Sequence, residues 1–267
     1  MSFDEDRLLR KLALHDRRID KEVRQRVKRS EDFEVMEEVF DRSTMLLLYR
    51  LIVNWDLNTI EGCVSAGKEA RVYYARGKSG TKYAVKIYLT ATAEFRKGML
   101  KYIEGDFRFR RIRRDTRHLI YTWAKKEFKN LKTFYEAGVR VPRPYRVLGN
   151  ILVMEFVGYD GVPAPLIREV GVEPNTPEQA FNTILSYIRL GYQRAQLVHG
   201  DLSEYNVMNY DGELIIIDVS QAVPVTHHLA MELLYRDVRN ICRWFERVYG
   251  LEADVERIVQ EIVGGSA

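Results

Sequence analysis

Hydrophobic and polar positions change their period along this chain. In residues 1–29, Leu8, Leu9, Leu12 and then Ile19, Val23 and Val27 recur at helical spacing among charges of both signs, which predicts a solvated amphipathic helix or arm. Residues 33–54 are more apolar. Phe33, Met36, Phe40, Leu47 and Leu51 would line one face of a helix that packs on the sheet expected next. From about Thr59 the period falls to two. IEGCVSAGKEARVYYARG reads as two strands around a turn at Ser65-Ala66-Gly67, and TKYAVKIYL as a third that alternates Tyr83, Val85, Ile87 with Ala84, Lys86, Tyr88. TWAKKEFKNLKTFYEAG returns to helical spacing (Trp123, Phe128, Leu131, Phe134, Tyr135) and stops at Gly138 before two prolines.

The second half repeats the change. VPRPYRVLGNILVMEFVG gives two strands that break at Gly158, and residues 177–196 an amphipathic helix. A strand, LIII, follows the turn Tyr210-Asp211-Gly212, and two helices fill Leu229 to Val263. The order predicts an α+β, two-lobed chain. Its parts are an N-terminal helical extension (1–56), a β-rich lobe (57–156) with a flexible basic loop at 90–118, and a mostly helical lobe (157–267).

Charge supports that division. The net charge is only +4, but residues 91–150 carry 16 basic and 6 acidic groups, and residues 151–267 carry 8 and 17. A basic half suits polyphosphate or nucleic acid. Between Arg108 and Arg117, arginines alternate with Phe109 and Ile112, a composition that suits phosphate contact and base stacking and equally suits a solvated loop. At 46% hydrophobic, with 16 Tyr and 11 Phe, the chain can bury a core. No apolar run approaches the roughly 20 residues of a membrane span, and the charged start lacks a signal-peptide core. Cys63 and Cys242 have no zinc-like spacing. A cytoplasmic protein with unpaired cysteines is expected.

The chemistry concentrates between Leu197 and Ser220. Asp201 and Asn206 lie five positions apart in HGDLSEYN, and Asp218 ends the strand after the hairpin. A loop bearing Asp and Asn, followed by a strand ending in Asp, is how a kinase-type site gathers a base and its metal ligands. Lys86 stands between Val85 and Ile87 on an apolar strand, where a buried charge needs a partner unless the strand is an edge. Glu127 on the following helix is the best placed carboxylate, and the pair would meet ATP phosphates. The turn at Ser65 to Gly67, with Lys68 after it, would bring backbone N–H groups and a point charge to a phosphate. It has neither a GxGxxG nor a Walker pattern, and a plain hairpin turn reads as well. Glu155 and Val157, where the first lobe ends, would offer backbone groups to an adenine edge.

SAGKEARVY, AVKIY, EGDFRFRR, KEFKNL, LVMEFVG, HGDLSEYN and IDVSQAV together resemble the RIO family of atypical serine/threonine protein kinases, and within it the RIO1 branch. The likeness spans roughly residues 33–250. Ala66 and Arg71 replace the usual Thr and Asn of the nucleotide loop. Gly200 stands where ordinary kinases have the Arg of HRD, Val219-Ser220 replaces the Phe-Gly of DFG, and no APE segment is visible. The N-terminus shows no winged-helix pattern, which argues against the RIO2 branch.

The resemblance implies ATP with Mg²⁺ (or Mn²⁺) as cofactors. Ser65, Lys68, Lys86, Glu127, Glu155 and Val157 would hold nucleotide, Asn206 and Asp218 the metal, and Asp201 would be the base. It implies that Asp218 can also accept phosphate, giving an aspartyl-phosphate and ATPase turnover. Expected partners are a protein substrate with Ser, autophosphorylation included, and the pre-ribosomal small subunit or its rRNA through the basic region 96–117, with no membrane. Two other readings share parts of the pattern. A small-molecule phosphotransferase of the aminoglycoside or choline type shares HGDL and a downstream metal Asp. An RNA- or ribosome-binding module would use ATP only as a switch.

Overall fold

The computed structural model describes residues 40–89, 93–109 and 115–265. The helix expected over residues 1–29 and the start of the one expected from residue 33 lie outside them. The first described helix, α1 (Arg42–Asn54), begins later than the apolar spacing suggests, because the Asp41 carboxylate accepts the Thr44 N–H at 2.8 Å and caps it. Phe40 therefore precedes the helix and meets the Tyr73 ring edge-on.

Five antiparallel strands follow: β1 (Leu57–Ala66), β2 (Ala70–Gly77), β3 (Lys82–Tyr88), β4 (Pro144–Leu148) and β5 (Ile151–Glu155), in spatial order β1-β2-β3-β5-β4. The strand period sorts the side chains as expected. Tyr83, Val85 and Ile87 join Leu47, Leu48 and Leu51 of α1 on one face. On the other face, Tyr88 packs with α2 (Ala93–Ile103) and α3 (Thr116–Glu136) through Met99, Ile103, Leu119 and Trp123. Burying each such aliphatic side chain contributes about 1.5–3 kcal/mol.

Two expectations about this lobe are corrected. The turn of the first hairpin is not Ser65-Ala66-Gly67: Ser65 and Ala66 are still paired with Val72 and Arg71, and the chain reverses over Gly67 to Glu69, closed by Gly67 N–H to the Ala70 carbonyl at 3.0 Å. The basic stretch 90–118 is not a loop throughout. It contains α2 and a 3₁₀ turn at Phe107–Phe109, and α3 starts at Thr116. Buried Met99 and Ile103 anchor α2, and buried Asp106 grips the Arg108 guanidinium at 2.9 and 2.7 Å, so apolar burial and a bidentate ion pair override the local charge density. The arginines at 110–114 lie outside the described residues.

The second lobe opens with a small hairpin, β6 (Gly158–Tyr159) and β7 (Val162–Pro163), and a short helix α4 (Ile167–Val170). Helix α5 (Pro177–Leu190) carries a Thr176–Gln179 capping box. It ends before the expected residue 196, in a π turn over Gly191–Ala195. A Cβ on Gly191 would come within 2.9 Å of the Phe134 ring. Then come β8 (Leu197–Val198), β9 (Val207–Tyr210), β10 (Glu213–Ile216), β11 (Val223–Pro224), α6 (Ala230–Tyr249) and α7 (Val255–Gly264). Strands β9 and β10 pair through a two-residue turn at Asp211-Gly212, both with positive φ (52° and 90°), which matches the twist of a tight hairpin.

Helix α3 serves both lobes: its N-terminal half packs under the sheet, while Leu131 and Phe134 enter the core of the second lobe with Leu202, Val219, Leu233 and Phe245. Cys63 and Cys242 are both free thiols. Among the described residues no helix is long and apolar enough to cross a membrane.

Candidate active site

A cleft of about 530 Å³ separates the lobes, within the range that holds nucleotide-sized ligands. Ser65, Gly67, Lys68, Lys86, Glu127, Glu155, Val157 and Asp218 all line it. One end is apolar, with Ala84, Met154, Phe156 and Ile217; Lys86 marks the polar end.

Strand alternation turns Lys86 away from α1 and toward α3, where its Nζ lies 2.8 Å from Glu127 Oε1 and 3.2 Å from Asp218 Oδ1. Burial alone would depress the ammonium, but the Asp218 and Glu127 charges hold its pKa above the ordinary lysine value. The edge-strand reading therefore fails: β3 is central and Lys86 is buried and paired. The Tyr88 hydroxyl donates to the other Glu127 oxygen, so the carboxylate is held from two sides.

Asp218 follows β10 in the left-handed region (φ 56°, ψ 61°) and starts a 3₁₀ turn over Val219–Gln221. Aspartate visits this region more readily than most residues, and its occurrence at a cleft fits a functional constraint. Protein surrounds Asp218 closely, yet its side chain stays 51% exposed to the cleft opening. Burial would raise its carboxyl, but Lys86 and the Ser220 hydroxyl, at 3.0 Å, hold it below the usual range.

Asp201 and Asn206 sit on the adjoining loop. The Asn206 amide nitrogen donates to the Asp201 carbonyl at 2.7 Å, which leaves its oxygen as a free-standing acceptor; the Asn206 carbonyl takes the Ile217 N–H at 2.9 Å and ties the loop to the strand leading into Asp218. Gln221 donates to Asp201 Oδ2 at 3.0 Å, and Arg236 lies 3.9 Å from Oδ1. Burial raises the Asp201 pKa, with Asp218 adding to it against Arg236 and Gln221. A carboxylate raised in this way is a better proton acceptor.

Below the loop, buried Asp237 accepts the Gly200 and Leu202 N–H groups at 2.7 and 2.9 Å, and Arg236 donates to the Gly200 carbonyl. His199 is kept neutral by burial, its pKa lowered to about 4. Its Nδ1 accepts the Asp201 N–H, and its Nε2 faces the Ile217 carbonyl, both at 3.2 Å.

Glu155 lines the cleft with one of its two backbone groups free. Its N–H donates to the Arg143 carbonyl at 2.8 Å, and its carboxylate pairs with Arg140 at 2.8 Å, so only its carbonyl remains for a ligand edge. Val157 gives its carbonyl to Ala164 N–H at 3.0 Å, which leaves the N–H as its group toward the cleft. Sequence reasoning assigned no role to Lys126, Asn130, Gln221, Arg236 or Asp237. Of these, Lys126, Asn130 and Asp237 are the buried ones, on α3 and α6, and nothing in the local pattern of those charged helices marks them before the second lobe is packed.

The residues fit a divalent cation bearing phosphates. Asp218 and the Asn206 oxygen are hard oxygen donors on neighbouring segments, and a magnesium site of this type uses few protein ligands and takes the rest from phosphate and water. Among the described residues there is no cluster of three or more His, Cys, Asp or Glu that would make a self-sufficient metal cage.

A sheet lobe holding a buried Lys–Glu pair, set over a helical lobe that presents Asp, Asn and Asp, defines a protein-kinase-like phosphotransferase. Comparison with known proteins narrows this. Residues 71–258 match the RIO domain. The chain is 42% identical over 265 residues to the RIO-type serine/threonine-protein kinase Rio1 of Haloferax volcanii, covering 99% of this chain and 88% of that one. It is 41% identical to Rio1 of Methanocaldococcus jannaschii, over 87% of this chain and 79% of that one. A solved structure, the Rio2 kinase–ADP/Mg²⁺–phosphoaspartate complex from Chaetomium thermophilum, shares the fold with a TM-score of 0.65 at 23% identity, covering 86% of this chain and 68% of that one. The chain belongs to the RIO family of atypical serine/threonine protein kinases.

Proposed function

We propose that this chain is a RIO1-type, ATP- and Mg²⁺-dependent serine kinase and ATPase, cytoplasmic, acting in maturation of the small ribosomal subunit. The observation that carries the catalytic part is the contact of Lys86 with both Glu127 and Asp218, with Asp201 joined to the same turn through Gln221. Bound ATP·Mg²⁺ supplies the phosphoryl group and a cation to neutralise its charge. The chain supplies position. Lys86, held by Glu127, binds phosphate oxygens. The Asp218 carboxylate and Asn206 oxygen hold the cation. The Asp201 carboxylate orients the incoming Ser hydroxyl and takes its proton.

Ser65 and Lys68 at the first hairpin, with the Glu155 carbonyl and Val157 N–H, border the nucleotide. Asp218 also has the chemistry of a phosphate acceptor, since a carboxylate facing the transferred group is a competent nucleophile. The Rio2 complex, whose name records a phosphoaspartate, supports that part. The ribosomal part rests on the family resemblance and on the basic region 96–117; binding to purified small-subunit precursors that falls steeply with salt supports it.

Asp201→Ala tests the reading. It is expected to abolish Ser autophosphorylation, measured with labelled ATP, while nucleotide binding persists. Undiminished transfer rejects Asp201 as base. Robust phosphorylation of amino alcohols or aminoglycosides would instead favour a small-molecule phosphotransferase.

A further inference from the structure

Helix α3 does more than present Glu127. One residue earlier, Lys126 is fully buried, and its Nζ donates to the backbone carbonyls of Ser220, at 3.2 Å, and Ala222. One turn later, Asn130 is also fully buried, and its Nδ2 donates to the carbonyls of Val219, at 2.8 Å, and Ala222, at 3.2 Å. Four hydrogen bonds from one helix face thus gather three carbonyls of the turn that starts at Asp218.

Burying a lysine against backbone carbonyls and the Trp123 ring, 5.7 Å from its Nζ, without a carboxylate of the described residues in hydrogen-bond contact is costly, and an apolar residue of the same volume would fill the space without that cost. Burial, with Arg108 adding to it, pulls the Lys126 pKa down to about 7. The amine still has N–H donors when neutral, so the bonds to the carbonyls do not require its charge. Stability does not explain such a pair of residues, and the turn they hold does. Its other groups are Ser220, which bonds Asp218, and Gln221, which bonds Asp201.

We propose that Lys126 and Asn130 are positioning residues for phosphoryl transfer, latching the Val219–Ala222 turn to α3 so that Asp218 and Gln221 meet the cation and Asp201 in fixed places. Glu127 and Lys126 are neighbours, so the same stretch of helix sets Lys86 from one side and the Asp218 turn from the other. The proposal rests on the reading of Asp218 as a cation ligand.

The test uses the full chain with Lys126→Met and Asn130→Ala, each measured for the Mg²⁺ concentration giving half-maximal ATP turnover, for kcat, for nucleotide affinity and for thermal midpoint. Val259→Ala, a buried truncation on α7, serves as a matched destabilised control, and Asp218→Asn tests the underlying reading. Loss of a residue that orients a ligand costs about 10–100-fold in metal affinity. Both latch variants are therefore expected to need at least about tenfold more Mg²⁺ and to lose kcat while nucleotide affinity holds. Val259→Ala should lower the midpoint and leave the Mg²⁺ requirement alone. If either latch variant fails to fold, the other carries the test. A wild-type Mg²⁺ requirement and kcat in a folded latch variant, with Asp218→Asn inactive, overturns the latch alone. Mg²⁺-dependent turnover by Asp218→Asn overturns the reading of Asp218 and the latch with it.

Discussion

The β1–β2 hairpin tip and the Asp218 turn line the same cleft but are held differently. At the tip, Gly67, Lys68 and Glu69 are exposed; one backbone bond closes the turn and one more, from the Leu89 N–H to the Glu69 carbonyl, ties it to the end of β3, with no core side chain among the described residues holding it. β1 is an edge strand whose pairing slips register three times along its length. At the Asp218 turn, Val219 and Ser220 are buried, and four bonds from α3, the Lys86 contact and the Gln221–Asp201 bond converge. On the proposed function, the difference follows from what each wall would do. Groups that align a reacting bond lose their effect when displaced by an ångström, so they belong on the wall the core holds. A wall that covers phosphates through backbone amides tolerates movement and has to admit and release the nucleotide.

The largest effect is expected on the held side. Lys86→Met leaves Glu127, only 1% exposed, beside Asp218 without the ammonium they share. Removing one partner of a buried ion pair costs about 3–5 kcal/mol, and turnover should be lost with it. Urea unfolding and an ATP turnover assay check both, and a variant of near wild-type stability would mean the pair is not what holds this side. The smallest effect is expected at the tip. A Cβ on Gly67 would lie 3.2 Å from the Ala70 carbonyl, a contact the exposed hairpin can relax. Gly67→Ala should change stability by less than about 1 kcal/mol and act mainly on KM for ATP. If Gly67→Ala destabilised the protein as much as Lys86→Met, the contrast between the walls would be gone.

The sequence pointed to most of the polar residues that the structure gathers on the held side and to little of what holds them there. Lys86, Asp201, Asn206 and Asp218 were legible because each breaks its local pattern, a lysine on an apolar strand or acids and an amide at loop positions, and Glu127 only as the helix carboxylate best placed to answer Lys86. The turn expected at Tyr210-Asp211-Gly212 was legible because few residues tolerate its backbone, although Tyr210 itself is still paired with Glu213. The latch was not read, since Lys126 and Asn130 look like ordinary solvated positions of a charged helix until the second lobe is packed against α3. The hairpin tip was misplaced by two residues because small residues at 65 and 66 suit a turn as well as an edge strand, and cross-strand pairing decided the matter. The helix α2 was hidden by its charges; its anchors, Met99 and Ile103, are too few to set a visible period.

The most direct test of the account is a single-turnover reaction with γ-labelled ATP and Mg²⁺, comparing the wild-type chain with Asp218→Asn at matched nucleotide occupancy. The account predicts label transferred from ATP to protein or released as phosphate by the wild type, and none by Asp218→Asn although it still binds nucleotide. Transfer by Asp218→Asn at the wild-type rate would contradict it.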